Sequence, residues 1–282
     1  MIDLHMHTTF SDGSISPEEL VNMALEAGLK AFAITDHDNT NSYLPAIEAA
    51  KDKPIEVIPG IEINTWYNSQ EVHVLGYYID PNNEDLQNVC REHNCARKEQ
   101  MAHFVELMQK AKIGLSLSDI QSQSRPEGTL GRPHVARALV EKGVVSNISD
   151  AFRKYLQPGA PTYHRRDTVT PHEAVEAIYE AGGIAVIAHP GDMPIIEELA
   201  KDLINYGLRG LEAYHRSHSP AEIEFHCSLA ERLGLIVTGG TDFHGTVDVY
   251  PQALGRLHLP DWVFEELKAE KARIDQRSVK VS

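Results

Sequence analysis

Apolar residues in this chain gather into short runs, and each run ends in polar residues. Seven runs stand out: IDLHMH, KAFAITDHD, IEVIPGIEIN, VHVLGYYI, GIAVIAHP, RGLEAYH and GLIVTGGTDFH. Their length, their branched apolar content and their polar boundaries read as buried strands. Helical patterns separate most of them. Three helices begin alike, with SPEE at Ser16, TPHE at Thr170 and SPAE at Ser219. In each, a hydroxyl residue caps the helix, proline takes the first helical position, and glutamate stands three residues after the cap. Strands alternating with capped helices predict parallel β/α units.

The alternation breaks between about Pro81 and Pro161. This stretch is polar and helix-favouring, and it contains NEDLQNVCREHNCARKEQMAHFVELMQKAKIG, GRPHVARALVEKG and AFRKYLQPG. It predicts a helical insertion, residues 81–161, that covers the active-site end of a barrel built from residues 1–80 and 162–282. The C-terminal LKAEKARIDQRSVKVS is expected as a solvated helix and tail.

The length of 282 residues suits one large domain carrying an insertion. Formal net charge is -15, from 41 acids against 26 bases, so a broad basic groove for long nucleic acid is not expected. Anionic substrates stay open to an acidic chain if bound cations dominate the local field. The three cysteines, Cys90, Cys95 and Cys227, form no C-x-x-C pair, so a reducing cytoplasm is expected. No leader segment and no membrane span is expected either. G-x-S-x-G, G-x-G-x-x-G and P-loop patterns are all absent.

Strand ends change the picture. His5 and His7 end the first run and Asp12 follows; Asp36, His37 and Asp38 end the second; Glu62 lies in the third. His73 lies in the fourth, His189 ends the fifth, and Asp242 and His244 end the last. In β/α barrels the loops after the strands converge on one face, which holds the active site. Residues i and i+2 on a strand share a face, roughly 6.6 Å apart, so His5-x-His7 and Asp242-x-His244 can each converge on one ion. Imidazoles mixed with carboxylates, without cysteine, favour a zinc, manganese or iron centre over calcium or structural zinc. His93, His103, His172 and His226 fall in helical patterns and are expected as plain surface residues.

DLHMHTTFSDG, ITDHD, GIE, VHVLG, AHP and TDFH, in this order and spacing, resemble the polymerase-and-histidinol-phosphatase (PHP) domain phosphoesterases. The likeness runs from Asp3 to about His244 and is closest to the branch that includes nucleoside 3',5'-bisphosphate phosphatases and 5'-3' exoribonucleases. It implies a distorted (β/α)7 TIM-like barrel with three divalent metal ions, Mn2+ foremost and Fe2+ or Zn2+ as alternatives. By the resemblance, His5, His7, Glu62 and Asp242 hold the first ion, and Asp12, His37 and His244 the second. Glu62, bridging, joins His73 and His189 around the third. The amidohydrolases also open with His-x-His but bridge with a modified lysine, and no lysine stands near Glu62.

The implied reaction is hydrolysis of a phosphate monoester of a small nucleotide, most of all the 3'-phosphate of a nucleoside 3',5'-bisphosphate, by a hydroxide shared between ions. Asp242 and Glu62 carry the catalysis by this reading. His218 in HRSHS is a candidate proton donor to the leaving group, with His215 as a weaker rival. Arg132 and His134 in GRPH are candidates for gripping a second phosphate, with Arg97 and Arg91 behind them. Val74, Leu75 and Gly76 are expected as a backbone grip, and Asp36, Asp38 and Glu212 as orienting acids. Rival activities are trimming of short 5'-phosphorylated RNA and cyclic- or sugar-phosphate hydrolysis. A metal-binding module without turnover is disfavoured by the complete ligand set.

Overall fold

The computed structural model describes residues 1–166, 169–245 and 254–281, with side chains as far as residue 276. Each of the seven apolar runs contains a strand: β1 Ile2–Asp3, β2 Ala31–Ile34, β3 Glu56–Tyr67, β4 Gln70–Tyr77, β5 Ile184–Ile187, β6 Leu208–His215 and β7 Ile236–Gly240. They form one sheet in chain order. Its two edges meet where Leu4 N donates to the Gly239 carbonyl at 3.2 Å and Met6 bridges Phe243. The sheet thus closes into a distorted barrel. Closure demands close backbone approach: a Cβ on Gly240 would stand 2.3 Å from the Cβ of His5. β2 and β5 are buried on both faces and carry continuous apolar side chains, as sheets covered by helices require.

One strand runs against the expected direction. β4 is antiparallel to both β3 and β5, while the other pairings are parallel. Only Asn68 and Ser69 join β3 to β4, and both have positive φ, at 47° and 67°. That is the backbone of a tight hairpin, and two residues cannot make the crossover that parallel strands need.

The helices α1 (Pro17–Glu26), α7 (Pro171–Glu180) and α9 (Pro220–Leu233) start at the expected capping boxes on Ser16, Thr170 and Ser219. With α2 (Tyr43–Ala50) and α8 (Ile196–Leu203), they complete the barrel's outer layer. The terminal α10 (Asp261–Val281) differs from the solvated helix expected: Val263, Phe264, Leu267 and Ile274 are buried in the barrel core. Their spacing gives α10 an apolar stripe that charged neighbours disguise.

Between β4 and α7 the described residues form helices and no strand: α3 (Glu84–Lys110), α4 (Leu117–Gln121), α5 (Arg132–Glu141), α6 (Ile148–Ala151) and a π-helical turn at Phe152–Leu156. Met101, Phe104, Met108, Leu115, Val135 and Leu139 belong to an apolar cluster of this segment, separate from the barrel core.

Asp3 ties the seam. Its carboxylate accepts the Thr241 N–H at 2.9 Å and the Thr241 hydroxyl at 2.6 Å, all buried. Asp3→Ala strands both donors and is expected to cost about 1–3 kcal/mol of folding free energy. Asp3→Asn, which keeps one acceptor oxygen, should recover part of that. Urea unfolding of both variants checks this, and an unchanged midpoint in Asp3→Ala would contradict the seam role.

Candidate active site

All nine residues expected as metal ligands meet at one end of the barrel. Four overlapping groups have ligand atoms within 4.8 Å of one another: His7, Asp12, His37 and His244; His5, His7 and Asp242; His5, Glu62 and His189; and His37, Glu62 and His73. The groups overlap: His5, His7, His37 and Glu62 each belong to two of them, and the rings of His73 and His189, 5.1 Å apart, both approach Glu62 Oε1. His73 arrives by an unexpected route. It sits near the start of β4, opposite Asn64, and the reversal of that strand carries it to the end where the other strands finish.

Glu62 is the hub. Its Oε2 lies 3.4, 3.2 and 3.0 Å from ring nitrogens of His5, His7 and His37. Its Oε1 lies 2.7 and 3.0 Å from His73 and His189. Glu62 Oε2, Asp12 Oδ1 and His37 Nδ1 are buried with no hydrogen-bond partner among the described residues. Buried polar atoms are rarely left so. Orphaned imidazole and carboxylate atoms converging on shared points fit divalent cations.

The electrostatics agree. Burial works to raise Asp12, Glu62 and Asp242, but the surrounding histidines outweigh it and hold all three well below the carboxylate range. Burial works to lower His7 and His73, yet the adjoining acids lift both to about 10. His37 goes the other way, pushed down to about 3 chiefly by burial. Ionised acids that can only borrow protons from neighbouring rings form a set that a cation completes.

Further acids orient this set. Glu212 accepts His5 Nδ1–H at 3.0 Å and the His189 N–H at 2.7 Å. Asp36 accepts from Thr8 N at 2.7 Å and from the Thr8 and Ser11 hydroxyls at 2.6 and 2.5 Å, pinning the loop after His7. Asp38 turns away from the metal ligands towards arginines. Asp38, His189 and Asp242 have φ of 51°, 25° and 51°, in the left-handed region. Such backbone is costly for residues with a Cβ and clusters at functional sites.

A cavity of about 160 Å³ opens beside these residues, lined by Asp12, His37 and His73 and by Arg97, Arg132 and Arg166. Arg132 Nη2 donates to both oxygens of Glu71 at 2.9 and 2.8 Å. Arg97 is buried and donates to Asp38, Asn64 and the Leu130 carbonyl. Burial and the charge of Arg97 press the Arg166 guanidinium down to about 9. Trp66 and Tyr163 add aromatic walls, and the Arg165 guanidinium lies 4.5 Å over the Trp66 ring.

Several expected roles meet a different geometry. His218 Nδ1–H donates to the Ala213 carbonyl at 2.8 Å, and Nε2 accepts the Gly191 N–H at 3.1 Å, so neither nitrogen is left for a leaving group. His215, the weaker rival, keeps a buried, unpartnered Nε2 at 3.7 Å from Asp242 Oδ2. Val74, Leu75 and Gly76 are buried mid-strand and paired on both sides, to β3 and β5, so they offer no backbone grip. His134 is buried and its Nδ1 accepts the Gly131 N–H at 3.1 Å, closing the first turn of α5 instead of facing the cavity. Arg91 is exposed, bonded to Asn88, and outside the cavity wall. His93 and His226 are buried at 1% and 0% exposure, not on the surface. His226 packs under the site and donates from Nε2 to the Gly191 carbonyl. The sequence reading had no place for Arg166, Trp66, Tyr163, Asn64 and Glu71. A two-residue turn at Asn68-Ser69 was the available signal for three of them, since it pairs Asn64 with His73 and Trp66 with Glu71.

Comparison with known proteins places this arrangement. The family model of the PHP domain matches residues 3–158. The chain is 34% identical to the 5'-3' exoribonuclease Rnm of Escherichia coli, over 86% of this chain and 84% of that protein. It is 36% identical to a 3',5'-nucleoside bisphosphate phosphatase of Chromobacterium violaceum, over 86% and 87% of the two chains. Among solved structures, a chain from Bifidobacterium adolescentis described as a metal-dependent phosphoesterase superposes with a TM-score of 0.87. It shares 33% identity and covers 94% of each chain. With the ligand-lined barrel end and these likenesses over most of each chain, the chain belongs to the PHP domain family, and it is a hydrolase acting on phosphoric esters.

Proposed function

We propose that the chain removes a phosphate monoester from a small nucleotide, foremost the 3'-phosphate of a nucleoside 3',5'-bisphosphate. The observation that carries this reading is one cavity whose lining holds both metal-type ligands and three arginines. A substrate with two anionic groups fits such a lining: one phosphate towards the ligands, the second towards the guanidiniums. Trp66 and Tyr163 offer flat surfaces for a base. The helical segment 81–161 supplies Arg97 and Arg132 and acts as the selectivity cover over the barrel of residues 1–80 and 162–282. Arg166 lies just past that boundary and extends the cover's reach.

The residues fit three divalent ions, manganese foremost and iron or zinc as alternatives, held by His5, His7, Asp12, His37, Glu62, His73, His189, Asp242 and His244. Bound ions of this kind lower the pKa of water towards neutrality and offset phosphoryl charge. Glu62 and Asp242 keep their carboxylates ionised for that purpose, Glu212 fixes His5, and Asp36 fixes the loop behind His7. His215 takes the place expected of His218. Its Nδ1 lies 2.7 Å from the Ser217 hydroxyl and accepts the Ser217 N–H at 3.3 Å, and its Nε2 faces Asp242 Oδ2 at 3.7 Å. By this reading a proton on Nε2 would serve the departing oxygen.

A second reading, trimming of short 5'-phosphorylated RNA, shares this geometry and is favoured by the 34% identity to Rnm. The three cysteines are free, which accords with a cytoplasmic setting, and no described helix is long and apolar enough to cross a membrane.

Phosphate release by manganese-loaded protein separates the readings. Adenosine 3',5'-bisphosphate is expected to lose its 3'-phosphate while AMP stays intact; stepwise release of mononucleotides from a 5'-phosphorylated trinucleotide would instead favour the nuclease. Asp242→Asn is expected to abolish turnover in a folded protein, as circular dichroism would verify. An active, metal-replete variant would sink the ligand assignment. Glu212→Gln should weaken metal affinity about 10–100-fold, read by titration calorimetry, because His5 loses its charged partner. Arg132→Ala should raise KM for the bisphosphate about tenfold or more, the loss of a charge-assisted contact of about 1.5–3 kcal/mol. An unchanged KM would remove Arg132 from the second-phosphate site.

A further inference from the structure

Asp38 follows a candidate ligand, His37, yet its carboxylate faces the arginines. It is fully buried. Its Oδ1 accepts the Asn64 N–H at 3.1 Å. Its Oδ2 accepts from Arg97 Nε at 2.8 Å, Arg97 Nη2 at 2.5 Å and Arg166 Nη2 at 3.3 Å. His93 Nδ1 lies 3.4 Å from the same oxygen, and neither His93 nitrogen has a hydrogen bond. Two guanidiniums from distant parts of the chain thus share one carboxylate. Arg132 pairs with Glu71, which also lies 3.5 Å from His73 Nε2. The charges around Asp38 therefore sum to a surplus of one positive charge, and Arg97 and Arg166 both line the cavity beside His37 and His73.

We infer that Asp38 is a positioning residue for substrate selectivity: it sets Arg97 and Arg166 side by side so that their surplus charge faces a substrate's second phosphate. A buried charge that lacks a full counter-ion is costly, and an arriving anion supplies what is missing. Asp38 itself touches no substrate. The fork of Arg97 is spent on Asp38, Asn64 and Leu130, so Arg166, with a single long contact to Asp38, is the member left to turn towards the anion. The inference rests on the two-phosphate reading above.

The test compares wild-type and Asp38→Asn proteins, both loaded with manganese, on adenosine 3',5'-bisphosphate and on p-nitrophenyl phosphate. Metal content is measured alongside. The ratio of kcat/KM for the bisphosphate over the aryl phosphate is expected to fall about tenfold, through KM, with metal content equal to the wild type's. An unchanged ratio, or a loss of metal that lowers both activities alike, overturns the inference and makes Asp38 a support for His37. In an Arg166→Gln background, Asp38→Asn should lower the ratio no further; additive losses would show that Asp38 does not act through Arg166. If Asp38→Asn does not fold, Arg97→Lys carries the test, since it keeps the charge and loses the fork: a fall in the ratio supports the inference and an unchanged ratio overturns it. Calorimetric binding of AMP separates this idea from the proposed activity. Asp38-dependent AMP binding in a protein that leaves the bisphosphate intact would retire the activity and keep the inference.

Discussion

The structure turns on one buried carboxylate. Glu62 is 1% exposed and has five histidines within 3.4 Å. An ionised acid in such a place is tolerable only where positive charge meets it from several directions. Four strands supply that ring, β1 giving two of its members. The parallel strands bring His5, His37 and His189 to their C-terminal ends, and Glu62 lies mid-strand in β3, whose second half extends past the barrel rim to the hairpin. Backbone bonds lock it there: Asp38 N donates to the Glu62 carbonyl at 2.9 Å, and Glu62 N to the Asp36 carbonyl at 3.2 Å. The length of β3, 12 residues against 4 for β2, follows from this need.

The reversed strand is part of the same constraint. A parallel β4 would require a crossover, and its C-terminal end would then face the site. As a hairpin, β4 instead starts at the site, so His73 and Glu71 enter at its beginning. Its far end, Tyr77, lies deep in the barrel beneath the site. The chain is then free to run into α3 at the outside and return through the helical segment. The hairpin thus places His73 beside Glu62 and puts the helical cover in reach of the rim.

Much of this was legible before any coordinates. Ligand types at strand ends survive as short local patterns, and His-x-His announces its shared face through the period of a strand. The capping boxes were equally plain, because every atom they use lies within four residues. What failed was information carried by distance or by fine orientation. His215 ends β6 and His218 stands three residues later, and only the turn between them decides which ring is spent on backbone groups. Arg166 reads as one arginine among several until Asp38, 128 residues earlier, is seen beside it. Left-handed φ at Asp242 and His189 leaves no trace in residue type, because a glycine would be the usual signal and these are metal-type donors instead. The hairpin was missed since Asn-Ser is a weaker turn sign than Asn-Gly.

The helical segment and the metal-type ligands hold each other through the same loops. Arg137 Nη1 donates to the Asp12 carbonyl at 3.0 Å, Thr129 N to the Phe10 carbonyl at 2.9 Å, and Asn39 reaches both Phe10 and Glu127. Arg97 closes the set on Asp38. Apart from Asn39 to Phe10, each bond joins the segment to a residue within five positions of His7 or His37. A cover that moved as a unit would therefore drag Asp12 and the His37 turn with it. Cations held below those loops and an anion bound to the arginines above would each favour the other. In this way a chain with net charge -15 would attract an anion. The long-range field repels it, but the local field at the barrel end is set by whatever cations the histidine ring holds and by the guanidiniums they help to order.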